Sequence, residues 1–368
     1  MNRDATKILV LDGAPRAGGY TRQLVDLLAG GARAAGAATT LVRLADREVR
    51  ACRGCYACWS DRTPGRCVQR DDMDDLLPRF AAADVLVLAT PVYYYSFSAI
   101  LKAFIERLLP TTRPGIARGR TTGIGRNRLR DPEGGPDRAA LLAVGAHRDL
   151  DNMRGIVESF RLICEGIDAA PAGELLRPES YLLDFAASKP VTHRRVLGAF
   201  EAAGRQLARG ERIDPATEAD ARAAFTQSPE AFGRHFATYW EIAAEIGSSG
   251  SDRERLRAAA AEDLRILMPE MASCYNATAG GDLKAVLLFD LADADERWHL
   301  AVEGGRCRAV RGDHPAPTTT LSLDRETLVD LLMQRLDVRR AVADRRVRAS
   351  GDRSLLARLP RLFPPPAV

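Results

Sequence analysis

Residues 7–12, Lys-Ile-Leu-Val-Leu-Asp, form a short apolar run of branched residues that breaks at Gly13-Ala-Pro-Arg-Ala-Gly-Gly-Tyr-Thr21. Leu24, Leu27 and Leu28 then recur at helical spacing in an Ala-rich stretch reaching about Gly36. The opening therefore reads strand, glycine loop, helix. Further strands are expected at Thr39–Leu44, at Asp84–Thr90, at Ala139–Val144 and near Tyr181–Asp184. The run Asp84–Thr90 is continuously apolar, as a strand buried on both faces should be. Helices are expected at Ser98–Leu108, Met153–Cys164 and Thr192–Arg209. Strands alternating with helices predict an α/β fold with a doubly wound, five-stranded parallel sheet of flavodoxin-like order, whose ligands sit beyond the carboxyl ends of the strands.

After about Gly210 the pattern changes. Residues 217–272 read as helices only, broken by Gly247-Ser-Ser-Gly-Ser251. From Leu283 short strands follow at Lys284–Leu291, Trp298–Val302, Cys307–Arg311 and Thr318–Leu323, then a helix Asp324–Arg335 capped by Asp324 and a last helix near Asp352–Phe363. The expected division is residues 1–210, a helical linker 211–250, and an α+β module 251–368. Net charge is +4, and the basic residues are four lysines against 49 arginines, a bias of coding rather than a phosphate-binding surface. Nucleic acid is not an expected partner. Apolar runs such as Val85–Ala89 fall far short of a membrane span. The N-terminus has no basic segment followed by an apolar stretch, so the expected location is the cytoplasm.

Two loops fall on the ligand edge. The first, Gly13–Thr21, presents backbone N–H groups at a helix N-terminus, with the charge of Arg16 and the hydroxyl of Thr21. It matches neither a dinucleotide fingerprint nor a Walker loop, and alone it fits a phosphate seat or a plain strand–helix turn. The second is Pro91-Val-Tyr-Tyr-Tyr-Ser-Phe-Ser98, whose aromatic faces suit a flat heteroaromatic ring or core packing. Lys102 and Arg107 read as decoration of the following helix. Residues 111–138, rich in Arg, Gly and Pro, read as one long loop that lids the ligand, receives an anionic substrate or is solvated surface.

Four of the seven cysteines make a C-x2-C-x2-C-x8-C pattern: Cys52, Cys55, Cys58 and Cys67. Three thiolates within seven residues converge without long-range folding, and the fourth returns after a turn at Pro64-Gly65. Such a set suits an iron–sulfur cluster, a structural zinc site or a reduced cysteine-rich loop. Cys164, Cys274 and Cys307 stand alone and read as small buried hydrophobes.

Taken together, Gly13–Thr21 and Pro91-Val-Tyr-Tyr-Tyr-Ser-Phe-Ser-Ala-Ile-Leu-Lys-Ala-Phe-Ile-Glu-Arg107 resemble the NAD(P)H-dependent FMN reductase branch of the flavodoxin-like proteins over roughly residues 6–209. The resemblance implies that Ala14, Arg16, Gly18, Gly19, Tyr20 and Thr21 surround the FMN phosphate. It implies that Pro91, Val92, Tyr93, Tyr94 and Ser96 border the isoalloxazine, with Gly145 and His147 as a further contact. Ala14 stands where the family usually has Ser, and Tyr20 where it has Asn, so two side-chain hydrogen bonds are lost while the backbone cradle remains. The cysteine pattern followed by Asp71-Asp-Met73 resembles the iron–sulfur flavoproteins of the same family. That likeness implies a 4Fe-4S cluster on Cys52, Cys55, Cys58 and Cys67 near a flavin, often that of a neighbouring subunit, although the gap before Cys67 is longer than usual.

It further implies an FMN-dependent oxidoreductase with NAD(P)H as possible donor, a small-molecule substrate or an electron-transfer protein as partner, and a homo-oligomer, dimer or tetramer. A cluster-free NAD(P)H:quinone or flavin reductase is the alternative enzyme. The stretches Lys284–Asp290, Trp298-His-Leu, Glu303-Gly-Gly305, Thr318–Leu332, Arg348-Ala-Ser-Gly-Asp352 and Leu355–Phe363 resemble the sterol-carrier (SCP2-like) domain. That domain implies an apolar-ligand carrier, or a packing module that kept the fold.

Overall fold

The computed structural model of the 368-residue chain describes residues 5–119, 122–185, 190–248, 252–333 and 335–364. Its contacts cluster into two units, Met1–Leu183 with Thr192–Phe225, and Asp184–Val191 with Thr226–Val368.

The first unit runs β1 (Lys7–Asp12), α1 (Tyr20–Ala34), β2 (Ala38–Arg43), α2 (Met73–Ala81), β3 (Val85–Pro91), α3 (Ala99–Glu106), β4 (Thr112–Arg118), β5 (Gly125–Leu129), β6 (Arg138–Val144), α4 (Arg154–Ile167), β7 (Ala170–Arg177), α5 (Pro190–Ala208) and α6 (Pro215–Ala221). The main sheet has the order β2-β1-β3-β6-β7, every pair parallel. The chain leaves β1 for β2 on one side and returns for β3 on the other, so the order reverses between β1 and β3. Ligands of such sheets bind at that switch point. Successive strand residues point to opposite faces. Leu9, Leu11, Leu86, Leu88 and Leu141 join α2, α3 and α4 in one apolar core. The alternating Ile8 and Val10 are equally buried on the face that α1 covers, with α5 packed backbone-close on α1.

Two expectations are corrected here. The fifth strand is β7, and Ser180–Asp184 is a 3-10 turn. Pro171 and Gly173 sit inside β7, tolerated because it is an edge strand, and its register with β6 shifts at Ala139/Ala140. Residues 111–138 are not one loop: β4 and β5 pair as an antiparallel hairpin. Two arginines at the hairpin are tied down, Arg126 to Asp168 at 2.9 Å and Arg130 to the carbonyls of Thr112 and Cys58.

The second unit opens on helices α7 (Pro229–Glu245), α8 (Arg253–Ala261), α9 (Leu264–Ser273) and α10 (Ala277–Gly280). Then come β8 (Ala285–Leu291), β9 (Glu296–Glu303), β10 (Arg306–Arg311), β11 (Thr319–Leu323), α11 (Arg325–Leu332), α12 (Val338–Ala343), β12 (Arg348–Gly351) and α13 (Arg353–Leu362). Its sheet has the order β10-β9-β8-β11-β12, antiparallel except for β8 with β11. Leu287, Phe289, Leu291, Trp298, Leu300, Leu321 and Leu323 meet α9 and α11 in the core. The Asp324 carboxylate accepts from the Thr327 N–H, the expected cap. Among the described residues, no helix is long and apolar enough to cross a membrane.

Candidate functional site

The loop after β1 is held from below. The Gly13 N–H donates to Ala89 O on β3, and Ser98 Oγ donates to Gly13 O while capping α3 through the Leu101 N–H. The Arg43 guanidinium, at the end of β2, donates to Pro15 O. Gly19 caps α1 without a side-chain hydrogen bond, and no acidic residue lies in the first turn. That helix end therefore offers its dipole and N–H groups to an anion. Ala14 and Thr21 are buried, whereas Arg16 and Gly18 are exposed. Among the described residues, a Cβ on Gly18 would meet nothing within 4 Å, so its missing side chain serves no packing against them. These features fit a phosphate group. The Tyr20 hydroxyl reaches toward Tyr181 O at 3.5 Å.

Beneath the loop lies Asp12, fully buried at the end of β1 and not among the residues that sequence reasoning marked as site. Its Oδ1 accepts from the Ala14 N–H at 2.9 Å, and Oδ2 has no partner among the described residues. Burial pushes its carboxyl above the ordinary value, against the pull of the Ala14 N–H, Arg22 and Arg43.

The loop after β3 makes a tight hairpin. Tyr93 and Ser96 exchange both backbone bonds, at 3.1 and 3.0 Å, around Tyr94 and Tyr95 at φ 46° and 64°. Two left-handed tyrosines in one turn cost about 1–3 kcal/mol each, strain of the kind that gathers at binding sites. Tyr94 is 98 % exposed, and Tyr93 and Tyr95 are largely so, which leaves three aromatic rings at the sheet's carboxyl edge. The Val92 N–H donates to Val144 O, which brings Pro91–Tyr93 beside the start of the Gly145–His147 loop. His147 is exposed, and its carbonyl accepts from the N–H of buried Glu179. The loops after β1, β3 and β6 thus lie side by side on one edge of the sheet.

The segment between β2 and α2 carries the cysteines. Its ends are zipped by Glu48 N–H to Asp72 Oδ2, Asp72 N–H to Glu48 O and Gln69 Nε2 to Ala51 O, at 2.8–3.0 Å. Trp59 Nε1 donates to Thr112 Oγ1, tying the 3-10 turn Ala57–Trp59 to the hairpin. Cys52, Cys55, Cys58 and Cys67 all line one small, partly open cavity, together with Tyr56, Val68 and Arg107. Burial pushes the Cys58 thiol up, and negative charge on Cys67, Cys55 and Cys52 adds to the shift. The Gly54 N–H donates to Cys52 Sγ at 3.5 Å.

Among the described residues, no three His, Cys, Asp or Glu side chains are gathered closely enough to hold a single metal ion. A tetrahedral zinc at Zn–S of 2.3 Å needs sulfurs about 3.8 Å apart. A 4Fe-4S cube takes its thiolates on four different irons and spreads them wider. Four cysteines around one cavity fit that donor set.

Arg107 does not decorate its helix. It is 1 % exposed and forms a two-pronged ion pair with the buried Asp71, at 2.6 and 2.9 Å, while also donating to Arg50 O. Burial pulls the Asp71 carboxyl upward, but hydrogen bonds from Arg107 and from the Arg50 and Met73 N–H groups outweigh it and hold the pKa below the ordinary value. The sequence signal was available: Arg107 falls on the stripe of Leu101, Phe104 and Leu108 that α3 and its C-terminal end bury. Lys102, by contrast, is exposed and pairs with Glu106.

Iron–sulfur flavoproteins are among the curated relatives. One from Archaeoglobus fulgidus is 33% identical over 111 residues, covering 30% of this chain and 49% of its own. One from Methanocaldococcus jannaschii is 35% identical over 104 residues, 28% and 52%. One from Methanosarcina thermophila is 33% identical over 111 residues, 30% and 56%. The chain spans about half the length of these curated relatives. Among solved structures, an NAD(P)H:quinone oxidoreductase from Methanothermobacter marburgensis aligns at a TM-score of 0.41 and 18% identity, over 55% of this chain and 100% of that one. An FMN-dependent NADH-azoreductase from Bacillus anthracis aligns at 0.41 and 13%, over 55% and 99%. Residues 6–125 match the model of the NADPH-dependent FMN reductase family, and residues 276–364 match the model of the SCP-2 sterol transfer family.

Proposed function

We propose that this protein is an FMN-dependent oxidoreductase of the iron–sulfur flavoprotein kind, with NAD(P)H or an electron-transfer protein as donor and a small organic molecule as substrate. The phosphate seat is Ala14, Arg16, Gly18, Gly19, Tyr20 and Thr21. The ring is bordered by Pro91, Val92, Tyr93, Tyr94 and Ser96, with Gly145 and His147 beyond. FMN supplies hydride and single-electron chemistry, and a 4Fe-4S cluster on Cys52, Cys55, Cys58 and Cys67 supplies a single-electron relay. The chain's own part is to bind and orient. The α1 N-terminus receives the phosphate, Arg43 and Ser98 fix the loop that presents it, and the strained turn holds three tyrosine rings at the edge of the site. In the assembled protein, two or four copies work together.

The observation that carries this reading is the lining of one cavity by all four clustered cysteines, in the same unit as a helix N-terminus at the switch point of the sheet that bears no side-chain cap among the described residues. Purified without oxygen, the protein should be yellow-brown, release FMN rather than FAD on denaturation, and contain about four iron and four sulfide per chain. Colourless protein that takes up no added FMN refutes the flavin. Stoichiometric zinc, or flavin without iron, refutes the cluster and leaves the cluster-free reductase.

A further inference from the structure

Arg107 stands on the wall of the cysteine cavity, while Asp71, its ion-pair partner, does not. The guanidinium is almost fully buried, Nη1 and Nη2 are committed to Asp71 and Arg50 O, and Nε is buried with no partner among the described residues. Buried N–H groups of guanidinium ions are rarely left so. After Asp71, Cys67 and Cys52 on the same cavity are the groups whose negative charge would favour the charged guanidinium.

We propose that Arg107 tunes the cluster held by these cysteines: its Nε–H donates to a sulfur of the bound cluster, and its buried charge raises the cluster's reduction potential. The inference rests on the cluster reading above. Reduction adds one electron, and so one negative charge, to a centre already ringed by four thiolates. A fixed positive charge in a site of low dielectric stabilises the reduced form more than the oxidised form. Asp71 is a positioning residue here, since it orients the fork and partly offsets its charge.

The test is an anaerobic redox titration of the full chain, with dithionite as reductant and the cluster followed by electron paramagnetic resonance. Wild type is compared with Arg107→Met, Arg107→Lys and Asp71→Asn. In Arg107→Met the ratio of oxidised to reduced cluster at fixed potential should rise at least tenfold, a fall in midpoint of about 59 mV for one electron. Arg107→Lys keeps the charge and loses the Nε–H, and should fall by less. Asp71→Asn leaves the guanidinium uncompensated and should shift the midpoint the opposite way. Opposite signs for the two partners cannot come from loosened packing alone, so equal potentials or shifts of one sign overturn the proposal. If Arg107→Met fails to fold, the signs of the other two variants decide it. Wild-type protein that holds no cluster overturns the function proposed above and this inference with it, whereas a cluster with unshifted variants overturns the inference only.

Discussion

Two adjacent glycines in α1 should respond oppositely to the same substitution. Gly30 is exposed, and a Cβ there would meet nothing within 4 Å. Gly31 is buried against α5, and its Cβ would lie 2.1 Å from the Glu201 carbonyl oxygen and 2.8 Å from the Glu201 carbonyl carbon. Ala is about 1 kcal/mol better than Gly in a helix interior, so Gly30→Ala should stabilise the first unit by roughly that amount. At Gly31 the same gain is opposed by overpacking, which costs about 1–3 kcal/mol. The upper end applies, because the obstructing atoms are helix backbone and cannot rotate away. Gly31→Ala should therefore lose about 2 kcal/mol net, some 3 kcal/mol below its neighbour. Pulsed thiol labelling in urea, read at Cys164, is a suitable assay. That thiol is buried in the first unit with its pKa pushed up to about 12 by burial, so it reacts only when the unit opens. Because the first turn of α1 belongs to the proposed phosphate seat, Gly31→Ala should also weaken FMN retention, and Gly30→Ala should not. Equal urea midpoints for the two variants, or a higher one for Gly31→Ala, would refute the close-packing argument.

Cys→Ser at position 52, 55, 58 or 67 should abolish or severely destabilise iron binding, while Cys164→Ser, Cys274→Ser and Cys307→Ser keep it; full iron content in any of the first four variants removes that residue from the ligand set. The Asp71 carboxyl is held below its ordinary pKa, so its contribution to stability is fully present above the unfolded value near 3.9 and fades as pH falls through the lower folded value. The gap in urea midpoint between wild type and Asp71→Asn should accordingly be flat above about pH 5 and narrow below about pH 4; a gap that persists unchanged at about pH 2 argues against this pairing.

Sequence alone disclosed the parts of this chain whose cause is local. β1 and β3 are continuous apolar runs because both of their faces are covered, and the glycine loop between β1 and α1 announces itself by composition. β7 escaped because an edge strand tolerates Pro171 and Gly173, residues that read as a break. The β4–β5 hairpin escaped because its arginines hide any alternation, and the groups that hold Arg126 and Arg130, namely Asp168, Thr112 and Cys58, are remote in sequence or supplied by backbone. Asp12 reads as the last residue of a strand; only its burial, with one oxygen unpartnered among the described residues, marks it as part of the candidate site.

The cysteine segment combines both cases. The spacing of Cys52, Cys55 and Cys58 speaks for itself, but the eight residues before Cys67 made the fourth position doubtful. The structure shows how that gap is spanned. The Gly65 N–H returns to Cys58 O at 2.8 Å, and the Arg66 N–H closes a turn on Thr63 O at 3.1 Å. Arg130 from the hairpin donates to the same Cys58 carbonyl, and Gln69 Nε2 ties the exit of the excursion back to Ala51 O. The extra residues thus form a closed excursion whose two ends meet, and Cys67 emerges on the cavity that the first three cysteines line. The pins of that excursion lie on α3 and the hairpin, more than thirty residues away in sequence for Arg107 with Asp71 and more than fifty for Thr112 with Trp59. The ligand spacing is local information, whereas the rigidity that would hold four thiolates around one centre is a property of the folded unit.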